Sequence, residues 1–185
     1  MQRQPSPEPQ EPTQASRRGF VTAAAAGLAS IAVGGAHAAG PEERELRIPT
    51  PDGECDAVLC LPAGATALPG VIVWPDAFGL RPALRALGQR LASQGYAVLV
   101  PNPFYRIARG EQVPSPLGFD WSQASDRARI QPLMASVGAP GAAERDARAF
   151  SDFLLAQPGV DAKSPIGVQG YCMGGPLMMR TAAAS

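Results

Sequence analysis

The segment Gly-Tyr-Cys-Met-Gly-Gly at residues 170–175 constrains the fold of this 185-residue chain more than any other segment. A short apolar run at 166–169 precedes it, and a helix-forming run at 176–184 follows it. A cysteine flanked by glycines between a strand and a helix has the form of a nucleophile elbow, a sharp turn that exposes its central side chain. The turn forces its central residue into a strained backbone conformation, and glycines two positions to either side leave room for the turning chain.

The residue types in this turn also predict chemistry. Cys172 would lie at the N-terminus of the following helix, where the helix dipole favours a thiolate, and a thiolate attacks carbonyl carbons. The backbone amide of Met173 would point at the negative oxygen that such an attack creates. We therefore predict that Cys172 is a nucleophile. The alternative is a buried cysteine with a structural role beside a glycine-rich turn.

Apolar runs earlier in the chain predict the strands of a sheet. Residues 45–48 and 55–61 flank a Pro-Asp-Gly turn at 51–53, which favours an antiparallel hairpin at a sheet edge. Residues 69–74 and 96–100 are uninterrupted apolar runs, typical of strands buried on both faces, and the first of them should be central. The segment between these two runs has helical spacing, which predicts a right-handed parallel crossover.

The second half of the chain completes the predicted architecture. Residues 102–140 are irregular and predict a long loop or lid, with a weak helix near 123–137. The alternation of strands and helices predicts a doubly wound, mostly parallel α/β sheet with helices on both faces, in one domain at 39–185. A further helix, closed by Gln-Pro-Gly at 157–159, is predicted from one apolar stripe: Ala143, Ala147, Phe150 and Leu154.

The chain has two more cysteines, Cys55 and Cys60, on one predicted strand. An offset of five residues on an extended strand puts them on opposite faces and about 16 Å apart, which is too far for a disulfide. We expect both to be buried structural thiols.

The first 38 residues have the parts of an export signal in the expected order. Arg17 and Arg18 precede an apolar, alanine-rich run at 22–35 and a small-residue site at 36–38. This order resembles a twin-arginine signal peptide with cleavage after Ala38 and a polar extension before it. About 14 mildly apolar residues fall short of the about 20 that cross a bilayer, so we expect no stable membrane insertion. The twin-arginine export machinery is then a partner, and the location is periplasmic or secreted.

Charge excludes one class of partner. Residues 1–38 contain three of the 16 basic and two of the 16 acidic residues, so 13 basic and 14 acidic residues remain after cleavage. Such a balanced domain has no field that would attract nucleic acid. We therefore expect no nucleic-acid partner.

Three segments resemble the dienelactone hydrolase family of the α/β-hydrolase fold. They are Val-Ile-Val-Trp-Pro-Asp-Ala-Phe-Gly-Leu at 71–80, Gly-Tyr-Ala-Val-Leu-Val-Pro at 95–101 and Gly-Val-Gln-Gly-Tyr-Cys-Met-Gly-Gly at 167–175. The last is specific, because most α/β-hydrolases have serine where this family has cysteine. The resemblance implies a hydrolase of a lactone or small carboxylate ester, similar to carboxymethylenebutenolidase, that works through an acyl-enzyme and needs no metal or organic cofactor.

The resemblance also implies roles for individual residues. Cys172 is the nucleophile, and the backbone amides of Ala77 and Met173 form the oxyanion hole. Asp76 lies where the family has a carboxylate that interacts with the thiol, although a helix N-cap is the alternative for this residue. Arg106 lies near the family arginine that binds a substrate carboxylate, within about one residue of its register, with a solvated loop charge as the alternative.

The catalytic acid and histidine of α/β-hydrolases follow the nucleophile in the chain. The only histidine here, His37, lies in the signal segment. We therefore expect the fold to be incomplete at the C-terminus, with both partners beyond Ser185 and an exposed apolar sheet edge, and the chain to be inactive alone.

Two other functions remain open at this point. An exported, non-catalytic binding protein would keep the fold without turnover. A different cysteine-elbow enzyme, such as an amidotransferase-like or protease-like domain, would lack the Asp-Ala-Phe-Gly element at 76–79.

Overall fold

A five-stranded mixed sheet forms the centre of the domain. The computed structural model describes residues 40–113 and 116–184, so the predicted export signal at 1–38 lies outside the described residues. The strands are β1 (Glu42–Thr50), β2 (Gly53–Leu61), β3 (Gly70–Trp74), β4 (Ala97–Pro101) and β5 (Gly167–Gly170). The helices are α1 (Pro82–Ala92), α2 (Ala124–Val137), α3 (Ala142–Leu155) and α4 (Gly174–Ala184).

The strand order is β1-β2-β4-β3-β5. β3 pairs in parallel with both β4 and β5, whereas β2 pairs antiparallel with β1 and with β4. The predicted α/β fold, with an antiparallel hairpin at one edge and β3 inside the parallel part, is therefore confirmed.

The β1-β2 hairpin turns where Pro-Asp-Gly predicted it. Thr50 pairs with Gly53, whose φ of 128° is one that residues with a Cβ rarely adopt. The Thr50 hydroxyl donates to the Gly53 carbonyl at 2.8 Å and accepts from the Asp52 amide at 3.2 Å. The turn thus uses a side chain to satisfy backbone groups that the two-residue loop leaves unpaired.

Strand side chains alternate between two apolar layers. On one face, the side chains of Leu59, Ile72 and Leu99 pack with Phe150 of α3 and Leu177 of α4. On the other face, a second apolar layer packs under α1, and it contains Val58, Cys60, Val73, Val98, Val100 and Leu84. Helices therefore cover both faces of the sheet, as period-2 alternation in buried strands requires.

The two strand cysteines obey this alternation. Cys55 belongs to the layer with Phe150, whereas Cys60 belongs to the layer under α1, and both are fully buried free thiols. Gly88 of α1 crosses directly over Cys60, because a Cβ on Gly88 would lie 3.1 Å from the Cys60 Sγ. The prediction of two buried, unpaired thiols on opposite faces is confirmed.

The predicted weak helix in the long connection is α2, a 14-residue helix with Pro132 inside it. Proline removes one intrahelical hydrogen bond and clashes with the preceding turn, so this helix depends on packing more than on local propensity. Ile130, Leu133 and Val137 supply that packing, since all three are buried. In the part of the chain that the structure describes, no helix is long and apolar enough to span a membrane.

Candidate active site

The exposed thiol of Cys172 lies in the tight connection between β5 and α4. Its φ is 49°, in the left-handed region that non-glycine residues seldom adopt. A strained backbone of this kind persists only where the surrounding structure holds it in place. The structure thus gives Cys172 the strand-turn-helix setting that the glycine pattern predicted, with its side chain open to solvent.

The flanking glycines are required by close backbone approaches. A Cβ on Gly170 would overlap the Gly174 carbonyl and lie 2.9 Å from the Met178 Cβ. A Cβ on Gly174 would overlap the Trp74 carbonyl oxygen and lie 2.7 Å from that of Pro75. The chain therefore passes itself and the end of β3 at distances that only glycine permits.

Hydrogen bonds fix the turn against the end of β3. Gly170 pairs with Trp74 in the parallel register, and the Tyr171 amide donates to the Trp74 carbonyl at 3.3 Å. Within the turn, the amides of Gly174 and Gly175 donate to the carbonyls of Tyr171 and Cys172 at 2.7 and 3.0 Å. The segment that follows β3 therefore runs beside the segment that contains Cys172.

This adjacency brings the two predicted oxyanion-hole residues together. Ala77 follows β3 and is buried, and the side chains of Ala77 and Met173 pack in the same apolar cluster, with Ile130 of α2. Neither the Ala77 nor the Met173 amide donates a hydrogen bond to any described residue. Stabilisation of an oxyanion requires backbone N–H groups that are free to donate, and these two amides meet that condition among the described residues.

Asp76 interacts with an arginine rather than with the thiol. The Arg81 guanidinium donates to Asp76 Oδ1 at 2.7 Å and to Oδ2 at 2.8 Å, and the Phe78 amide donates to Oδ1 at 2.9 Å. Among the described residues, no hydrogen bond joins Asp76 to Cys172. The helix N-cap alternative is wrong, because α1 begins at Pro82 with Arg81 at the cap position.

Arg106 lies in an ion cluster with two carboxylates. It donates to Asp52 at 2.6 Å and to Asp146 at 2.7 Å, and its guanidinium lies 4.6 Å from the centre of the Tyr105 ring. Its side chain is 13% exposed, so the alternative of a solvated loop charge is wrong. Recognition of a substrate carboxylate stays a prediction, and it would require one of these pairs to break.

The same cluster ties three separate segments together. Hydrogen bonds from Arg145 and Arg106 hold the pKa of Asp52, in the hairpin turn, below its usual value. Asp146 of α3 is 1% exposed and accepts a hydrogen bond of 2.7 Å from the Tyr105 hydroxyl. The ion pairs therefore connect the hairpin, the segment after β4 and α3, which gives Arg106 a structural role in the geometry seen here.

Sequence reasoning missed Arg81 and an aromatic trio near the predicted oxyanion hole. The rings of Phe78, Phe119 and Trp121 have centres 4.8 to 6.2 Å apart, and Phe78 directly follows Ala77. Phe78 and Phe119 also pack against the cluster that contains Met173. The sequence signal that could have revealed the trio is that Phe119 and Trp121 lie close together in a segment with a weak helical pattern. Large apolar residues in a loop indicate a surface on which they pack.

The three thiols lie in different environments. Burial raises the pKa of the Cys55 thiol far above its ordinary value, and the carboxylates of Asp56 and Asp146 raise it further. Burial raises the pKa of Cys60 to about 12.

Within residues 40–113 and 116–184, no three His, Cys, Asp or Glu side chains are grouped so as to hold a metal ion.

Known proteins resemble this chain over most of the described domain. Residues 55–185 match the model of the dienelactone hydrolase family. Two curated relatives named "Putative carboxymethylenebutenolidase" are 32% identical over 73 residues (Azospirillum brasilense) and 29% identical over 112 residues (Saccharomyces cerevisiae). These alignments cover 40% and 60% of this chain but only 32% and 38% of the relatives.

Solved structures show the same similarity in three dimensions. The structure named m3DLH is 30% identical with a TM-score of 0.62, and the alignment covers 77% of this chain and 54% of that one. A dienelactone hydrolase-like promiscuous phosphotriesterase from metagenomic libraries is 28% identical with a TM-score of 0.57, over the same shares of the two chains. The chain thus spans about half the length of these structures. With a family match over most of its length and this fold, the chain belongs to the dienelactone hydrolase family.

Proposed function

We propose that this chain has the nucleophile of a hydrolase that acts on a lactone or a small carboxylate ester, and that this nucleophile is Cys172. The observation that carries the proposal is the exposed thiol at a φ of 49°, in a turn whose flanking glycines cannot be replaced without overlap. The amides of Ala77 and Met173, which donate to none of the described residues, support the same chemistry. Two relatives have the name "Putative carboxymethylenebutenolidase", which is consistent with a lactone substrate.

The proposed reaction has two steps. The Cys172 thiolate attacks the carbonyl carbon, the amides of Ala77 and Met173 stabilise the resulting oxyanion, and the C–O bond breaks to leave a thioester and an alkoxide, which takes up a proton. Water then attacks the thioester, and the carboxylic acid leaves as the thiol is restored. In a lactone, the alcohol formed by ring opening stays covalently attached to the acyl group on Cys172, and hydrolysis of the thioester releases a single hydroxy acid.

The test is acylation of the intact gene product by an activated ester such as p-nitrophenyl acetate, followed by peptide mass spectrometry under acidic quench. We expect an acetyl group on the peptide that contains Cys172, and we expect none in Cys172→Ala. The matched control is Cys60→Ala, which removes a buried thiol on β2 and should leave acylation unchanged.

Two results would contradict the hydrolase. Acylation of another residue would remove Cys172 from the mechanism. Tight binding of a lactone without acylation or turnover would favour the exported, non-catalytic binding protein instead.

We also propose that residues 1–38 direct export by the twin-arginine machinery to the periplasm or beyond, with cleavage after Ala38. The motivation is Arg17 and Arg18 before the apolar run at 22–35. Replacing both arginines with lysine should leave unprocessed precursor in the cytoplasm, as seen by fractionation and N-terminal sequencing, whereas Arg3→Lys should not. Normal processing of the double variant would disprove this route.

A further inference from the structure

We propose that Arg81 is a positioning residue that fixes the backbone amide of Ala77 through Asp76. This inference rests on the proposed hydrolase function. We call the Asp76–Arg81 pair the clamp. In this proposal, Asp76 sets the geometry of the oxyanion hole and does not take the proton of the thiol.

The clamp closes a tight turn around Ala77. The Asp76 carbonyl accepts a hydrogen bond of 3.0 Å from the Gly79 amide, and the Asp76 Oδ1 accepts one of 2.9 Å from the Phe78 amide. Arg81 Nη1 donates to the same Oδ1 at 2.7 Å and also to the Gly79 carbonyl at 3.3 Å. The residues before and after Ala77 are therefore held, so the direction of its amide is fixed as well.

The environment of the clamp strengthens these bonds. The side chains of Arg81 and Asp76 are 10% and 22% exposed, so water competes little for the pair. The guanidinium lies 5.6 Å from the centre of the Phe78 ring. Its Nε is buried with no acceptor among the described residues. An ion pair that leaves a buried donor unsatisfied is a poor device for stability alone, which favours a role in geometry.

The clamp also competes with the alternative role of Asp76. Both carboxylate oxygens accept hydrogen bonds from Arg81, as a bidentate pair does. A carboxylate that takes the proton of Cys172 would have to leave this pair. The two roles therefore predict different effects of the same substitutions.

Two reactions of Cys172 separate the roles. Acylation by p-nitrophenyl acetate passes through an oxyanion, whereas alkylation by iodoacetamide displaces iodide from carbon and forms no oxyanion. In the intact protein, Arg81→Met should slow acylation by about 100-fold, the cost of misplacing a catalytic group by about 1 Å. It should leave the alkylation rate within about twofold. Asp76→Asn should have the same pattern, because the amide keeps an acceptor for Phe78 but loses the bidentate charge pair.

Controls keep the result interpretable. Arg90→Met changes an exposed arginine in the last turn of α1 and should alter neither rate. Arg81→Lys keeps the charge without the two-pronged geometry, and it should give an intermediate acylation rate even if Arg81→Met fails to fold. Circular dichroism and a thermal melt identify any variant that is unfolded.

The outcomes are distinct. Slow acylation with normal alkylation supports the clamp. Equal slowing of both reactions in Asp76→Asn assigns Asp76 to the thiol proton and overturns the clamp, and unchanged acylation in Arg81→Lys and Asp76→Asn also overturns it. Failure of the wild-type protein to acylate at Cys172 refutes the proposed function itself, which is a different result.

Discussion

The indole Nε1 of Trp74 donates a hydrogen bond of 2.8 Å to the hydroxyl of Thr181, and both residues are fully buried. Trp74 ends β3, which pairs with the strand before the Cys172 turn, and Thr181 lies in α4, the helix after that turn. Thr181→Val keeps the shape but leaves the indole N–H unsatisfied, which should lower the free energy of unfolding by about 1–3 kcal/mol. Urea denaturation measures the change. Thr181→Ser keeps the hydroxyl and should lose clearly less, and equal losses would contradict this account.

The two consecutive glycines that follow Cys172, Gly174 and Gly175, give a second prediction with an internal control. Gly174→Ala forces a Cβ into the Trp74 carbonyl, so the turn must move, and we expect about 1–3 kcal/mol of destabilisation and at least about 100-fold slower acylation. Gly175→Ala meets nothing within 4 Å on α4 and should stabilise the protein by about 0.5–1 kcal/mol. Comparable losses in both variants would contradict the close approach of Gly174 to Trp74 as the cause of the effect.

Thiol labelling checks the reactivity assigned to Cys172. Iodoacetamide at pH 8 should modify Cys172 first, because it is exposed, whereas Cys55 and Cys60 are buried and their pKa values are raised by that burial. Peptide mass spectrometry at increasing times measures the order. In 8 M urea, a concentration chosen to be about enough to unfold the domain, all three should react alike. Earlier labelling of Cys55 or Cys60 in the folded protein would contradict the turn geometry.

The buried thiols also predict alkaline sensitivity. The pKa of Cys60 is raised by burial to about 12 in the folded protein, compared with about 8.5 in an unfolded chain. The folded state keeps this proton to higher pH, so the stability contributed is fully present below about pH 8.5 and is lost as pH rises toward 12. Each such thiol adds about 1.4 kcal/mol per pH unit to the decline. Urea denaturation from pH 8 to 10.5 should show a shallower decline in Cys60→Ala, and an unchanged slope would refute the raised pKa.

The Arg106 cluster predicts a loss of stability. Arg106→Ala leaves Asp146 as a buried charge without its guanidinium partner, so we expect about 3–5 kcal/mol of destabilisation. The control is Arg109→Ala, since Arg109 is 51% exposed and its one ion pair among the described residues is with the exposed Glu54. We expect a loss of less than about 1 kcal/mol. A selective rise in KM for a carboxylated lactone over a neutral ester, without loss of stability, would instead assign Arg106 to the substrate.

Local patterns were sufficient to predict most elements of the fold. The Pro-Asp-Gly turn, the apolar runs that became β3 and β4, and the stripe of Ala143, Ala147, Phe150 and Leu154 each contain their own signal, and all four stripe residues are buried on α3. α2 was predicted only weakly, because Pro132 opposes a helix and its stability comes from contacts elsewhere in the chain. The strand order β1-β2-β4-β3-β5 has no local signal, since it depends on which distant strands pair.

In the candidate site, too, features with a local sequence signal were predictable, whereas features that depend on distant residues were not. The turn that contains Cys172 was predictable because the glycines that form it are close to Cys172 in the sequence. The partners of Arg106 were not, because Asp52 and Asp146 are brought to it by the hairpin and by α3. Arg81 lies only five residues after Asp76, yet the guanidinium of an arginine before a helix can pair with many different groups. Which group it pairs with depends on the shape of the intervening turn.

The pairing of β3 with β5 has a consequence for the order in which the protein folds. β3 joins β4 across one helix, but it joins β5 across a longer stretch of chain that contains α1, β4, α2 and α3. Contacts between distant parts of a chain form late, because the entropy of closing the intervening loop must be overcome first. We therefore expect the site around Cys172 to form in one of the last steps of folding. Before that step, Cys172 has the reactivity of an ordinary cysteine in an incompletely folded chain. The rate at which Cys172 becomes able to be acylated during refolding would then measure how fast the last part of the fold forms.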